Sequence, residues 1–139
     1  SWWDVSSATP EGAPSRTTLL ETAMSILAEI GQAIEEDAIK DALRDTWRSL
    51  RQSVDRDDEE PWALIARLDG DMVRAVEAAL DSETRERIRA EARAQVSTGS
   101  GARMSDAARA TRIEAAVVAA IREHVGLPDL VQVVSDVDV

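Results

Sequence analysis

Across residues 20–54 the apolar side chains recur every three or four positions: Leu20, Met24, Leu27, Ile30 and Ile34, then Ile39, Leu43, Trp47, Leu50 and Val54. That spacing lays a stripe along one face of a helix, whereas a strand would throw the same residues to both faces, and it puts Leu20, Met24, Leu27, Ile30, Ile34, Leu43, Trp47 and Leu50 in the expected core. The stripe changes phase near residues 35–37, which predicts a break capped by Asp37 and two helices in place of one. Thr18 followed by Glu21 is a capping box that would start the first of them.

The rest of the chain reads in the same terms. The acidic run Asp55, Asp57, Asp58, Glu59 and Glu60 closes a helix end and leads to Pro61, which suits a first helical position because its missing N–H would have no partner there. Short helices are expected over 61–68, 72–80 and 83–96, separated by an Asp69-Gly70 turn and capped by Asp71 and by Asp81 or Ser82. Residues 96–104 form a Gly/Ser loop. Ser105 then caps a last helix that runs through Val125 and stops at Gly126 and Pro128. Beyond it, Val131, Val133, Val137 and Val139 alternate with Gln132, Asp136 and Asp138, the period of an extended strand. Residues 1–14 carry two prolines, a glycine and no period, and read as an extended leader bearing Trp2 and Trp3.

The composition agrees with helices. Ala supplies 23 residues, while Phe, Tyr and Cys are absent, so the best helix former is abundant and the aromatic residues that strands favour are scarce. The expected fold is all-α: an irregular bundle of five to six helices over residues 16–126, with an extended leader over 1–15 and an extended tail or linker over 127–139. No internal repeat is evident. Residues 16–31, RTTLLETAMSILAEIG, resemble the first helix of TetR-type repressors. The resemblance implies a helix there and stops at Gly31, because the helix-turn-helix that would read DNA does not follow.

Several chemistries are excluded by missing residue types. Without cysteine there are no disulfides, thiolate zinc sites or thiol nucleophiles. His124 is the one histidine, it follows Glu123 directly, and it suits the C-terminal end of a helix dipole. Neither HExxH, GxSxG nor a P-loop occurs, and the acidic run lacks the Gly and the final Glu of an EF-hand. No catalytic residue, metal or cofactor is implied. A carboxylate-dependent enzyme stays as a third reading, since 27 acids make some close pair inevitable.

Sixteen basic residues against 27 acidic ones give a net charge of −11, which repels phosphate backbones and anionic membranes. The charge is uneven: residues 1–60 hold 14 acids and 6 bases, net −8, and residues 81–126 hold 7 acids and 8 bases, net +1. Arg85, Arg89 and Arg93 share a helical face, with Arg103, Arg109 and Arg112 beyond the glycine loop. Folded together they would form an anion or nucleic-acid site; left apart they are a solvated face. With no apolar run of membrane length and no signal-peptide pattern, the chain reads as soluble and cytoplasmic, and its start at Ser1 as the mark of processing or of a piece cut from something longer.

The termini point toward proteins. Trp2 and Trp3 are interface-type anchors on a polar leader, or else a cap on the bundle itself. The tail, through Val131, Val133 and Val134 ahead of Asp136, resembles the short strand motif that binds SUMO-type modifiers at a sheet edge; packed across its own helices it would be a structural strand. The expected function is a non-catalytic protein-interaction domain, accessory or regulatory, of a larger protein or assembly. A nucleic-acid-associated accessory subunit using the arginine face is the alternative.

Overall fold

The computed structural model describes residues 15–54, 56, 59–98 and 104–137; the leader carrying Trp2 and Trp3 lies outside them, as does Arg103. Among the described residues there are six helices and no strand: α1 (Arg16–Ala33), α2 (Asp37–Val54), α3 (Pro61–Ala79), α4 (Ser82–Thr98), α5 (Asp106–Val125) and α6 (Leu130–Asp136). None is long and apolar enough to cross a membrane.

Five of the six described helices start on side-chain caps. Ser15, one turn earlier than the Thr18 cap expected, accepts the Thr18 amide at 3.1 Å. Glu60 accepts Ala63 N–H at 2.9 Å with Pro61 at the first position, Asp81 accepts Thr84 N–H, and Ser105 accepts Ala108 N–H. Each removes one of the amides that a helix N-terminus leaves unpaired. The break near Asp37 is present: Ile34 turns to extended backbone and closes α1 by donating to the Gly31 carbonyl. At the end of α5, Gly126 takes φ 87°, the left-handed conformation that glycine adopts without steric cost.

Two expectations are corrected. Helix α3 runs unbroken through Asp69-Gly70, because Leu64, Ile65, Leu68, Met72, Val73 and Val76 form one buried stripe and their burial outweighs the helix cost of a single glycine. The 61–68 and 72–80 segments are therefore one helix. The tail is also not extended: residues 130–136 are helical, with Asp129 as cap and Leu130 and Val134 buried at i and i+4. Without a neighbouring strand, an extended tail would leave its backbone groups unpaired, and the helix pairs them internally.

Helices α1 and α2 pack as a hairpin, α3 lies against α2, α4 pairs with α5, and α6 fits against α1 and α3. The core is continuous through Leu20 and Leu27 of α1, Leu43 and Leu50 of α2, Met72 and Val76 of α3, Val117 and Ile121 of α5, and Leu130 and Val134 of α6. Arg16 holds the start of α1 to the end of α2. Its guanidinium donates to the carbonyls of Ser53 (2.7 Å), Glu59 (2.8 Å) and Arg56.

Candidate binding groove

Not all of the α1–α2 stripe is spent on the core. Leu27 and Leu43 are each 2% exposed, but Met24, Ile30, Ile34 and Trp47, expected inside, are only half-buried. On α2, Lys40, Arg44, Trp47 and Arg51 follow at i, i+4, i+7 and i+11, one ridge beside the buried Leu43 and Leu50. On α1 the facing positions are small or absent: Ala28 and Gly31. A tall ridge opposite a low one leaves a groove.

The groove encloses about 300 Å³, the lower limit of small-ligand sites. Leu27 and Leu43 line it from the core side, Trp47 is its aromatic wall, and Gln32, Lys40 and Arg44 are its polar rim. A concavity of about 330 Å³ bounded by Glu21, Met24 and Ser25 adjoins it, with Ala28 and Trp47 lining both. A Cβ placed on Gly31 would meet no atom within 4 Å. The Arg51 guanidinium lies 5.6 Å from the centre of the Trp47 ring, a cation–π contact. Arg44 pairs with Asp41 at 3.2 Å, but both side chains are more than half exposed and such a pair exchanges readily with water or with another carboxylate.

The arginines read as a possible anion site are arranged otherwise. Arg89 directs its donors at two carboxylates: Nε and one terminal nitrogen reach Glu77 of α3 at 2.6 and 3.0 Å, and the other reaches Glu114 of α5 at 3.0 Å. These hydrogen bonds, Glu77 first, hold its pKa above the ordinary arginine value. Arg85 turns back to donate to the Leu80 carbonyl at the end of α3. Arg93 and Arg112 are exposed, Arg112 beside an α4–α5 concavity of about 550 Å³ with Gln95 and Glu123, and Arg109 is half-buried on α5. A phosphate at Arg89 would have to displace two carboxylates.

The tail valines belong to the fold. Val134 is in the core, Val131 packs against it and Val133 is half-buried on α6. They present no free strand edge. No protein family, curated protein or solved structure matches the chain. Among the described residues no three His, Asp or Glu side chains gather where they could hold a metal ion.

The sequence reading missed the groove because it assigned Trp47 to the core. The signal was available: Lys40, Arg44 and Arg51 share the face of Trp47, and a face with three cations is not a core face. It also missed the buried pair of Asp69 and Arg122, hidden by reading Asp69-Gly70 as a turn.

Proposed function

We propose that the chain is a helical protein-interaction domain, and that it receives a short partner segment in the α1–α2 groove. The observation that carries the reading is an open apolar slot walled by Trp47 and rimmed by Lys40 and Arg44, on a protein whose net charge is −11. The Lys40 and Arg44 rim favours a segment carrying carboxylates, which could take the place of Asp41 on Arg44. The apolar slot favours one aromatic or large aliphatic anchor beside those carboxylates. One such pocket makes a small, exchangeable contact, as suits an accessory or regulatory domain of a larger assembly. The cytoplasmic setting read from the sequence belongs to the same proposal, and fractionation of source cells tests it.

The test is a set of short peptides with one Trp or Leu flanked by aspartates, titrated while the methyl signals of Leu27 and Leu43 are followed by NMR. Saturable shifts at those methyls, abolished in Gly31→Leu and weakened in Lys40→Glu, are expected. Peptides that leave both methyls unmoved, or that bind Gly31→Leu as well as the parent, overturn the reading.

A further inference from the structure

We infer that the chain carries its own ligand for this groove: the leader's Trp2-Trp3-Asp4 docks in cis between α1 and α2, so a partner segment must displace it. The inference rests on the groove being a binding site and adds how that site is regulated.

Reach permits it. Ser15 precedes α1, and Gly31 at the far end of the groove lies sixteen residues along the helix, or roughly 24 Å at the helical rise. Residues 3–14 can span up to roughly 40 Å when extended. Trp3 can therefore reach any point of the groove with length to spare, and Gly12 with Pro10 and Pro14 suits the reversal of direction that folding back along α1 requires. The exit point is fixed as well, because the hold of Arg16 on the Ser53 and Glu59 carbonyls sets the start of α1 beside the end of α2, at one end of the hairpin that forms the groove.

The chemistry matches the slot. Two adjacent indoles offer one anchor for the space over Leu27 and Leu43 and a second for the adjoining concavity that shares Trp47. Asp4 follows them directly, and the rim it would meet is Lys40 and Arg44, whose present partner Asp41 is exposed and exchangeable. The leader's side-chain charges, Asp4 and Glu11, are both negative, so it complements this cationic face. Tethering makes weak complementarity sufficient, since a short connection gives an effective concentration on the order of millimolar.

The test uses the full chain. In the double variant Trp2→Ala/Trp3→Ala the methyl signals of Met24, Leu27 and Leu43 and the Trp47 indole signal should move relative to the parent, independently of protein concentration. A synthetic peptide of residues 1–7, SWWDVSS, should bind the variant's groove roughly tenfold or more tighter than the parent's, because the parent's tethered copy competes. Groove signals unchanged by the double variant overturn the inference, and so does a difference that vanishes on dilution, which would assign the occupant to a second copy. The two readings separate cleanly. Acidic aromatic peptides that bind parent and variant equally leave the interaction domain standing without its internal ligand. Groove signals that respond to Trp2 and Trp3, in a variant that takes no acidic aromatic peptide other than the leader's own sequence, leave an intramolecular dock and remove the partner.

Discussion

Asp69 of α3 grips Arg122 of α5 through both carboxylate oxygens, across 53 positions of sequence and with only 9% and 19% of the two side chains exposed. The same Arg122 donates to the Pro128 carbonyl at 2.7 Å, and Asp69 accepts the Leu130 amide at 3.1 Å. One carboxylate thus fixes the end of α5, the turn after it and the first residue of α6. Asp69→Ala should leave a buried guanidinium uncompensated and cost about 3 kcal/mol, seen in a thermal melt as a Tm lower by roughly 10 °C. The hydrogen bonds Arg122 donates to Asp69 hold its pKa above the ordinary arginine value, so the guanidinium stays charged across the physiological range.

Gly70 sits inside α3 on a turn that needs no glycine. Its φ is not positive, and an added Cβ would meet only the mobile end of Arg74 at 3.7 Å. Gly70→Ala should stabilise the protein by about 0.5–1 kcal/mol through the unfolded chain's lost freedom. A urea melt with an unchanged slope and a higher midpoint is the expected result.

Glu77 and Glu114 both hold Arg89 but from different surroundings, with 15% and 61% of their side chains exposed. Glu77→Gln should weaken the joint between α3 and α4 by about 1–2 kcal/mol, and Glu114→Gln by less than about 0.5 kcal/mol. Amide exchange along α4 measures the difference. Equal acceleration in the two variants would refute the ranking.

Asp81 caps α4, and the hydrogen bonds donated by the Thr84 hydroxyl and amide lower its pKa below the ordinary 3.8. A carboxylate depressed in the folded state contributes its stability above the unfolded value and loses it as pH falls through the folded one. The Thr84 amide signal should therefore titrate with a midpoint below 3.8. Asp81→Asn should keep α4 capped at pH 7 and abolish that acid transition.

Much of this architecture was legible from spacing and caps. The stripes of α1 and α2 and their phase shift at Asp37 located both helices, and Ser105 with Gly126 bounded α5 within a residue. The failures share a cause. Asp-Gly at 69–70 and the alternating valines after Leu130 are local signals, and both were overruled by burial that depends on distant partners. Leu130 and Val134 are helical because α1 and α3 offer them a packed site. The groove was hidden for the converse reason, since a stripe of the correct period does not say how much of its width a neighbour will cover.

The seven residues of α6 are the shortest helix described and follow the other five in the chain, yet Leu130 and Val134 fill space between helices synthesised before them. During translation Asp69 leaves the ribosome 53 residues ahead of Arg122 and 61 ahead of the Leu130 amide it accepts. The nascent bundle must therefore wait with an open centre until α6 has been synthesised. A premature stop or a clip after Asp129 would strand it in that unfinished form, which makes the integrity of α6 a checkpoint on whether the bundle accumulates.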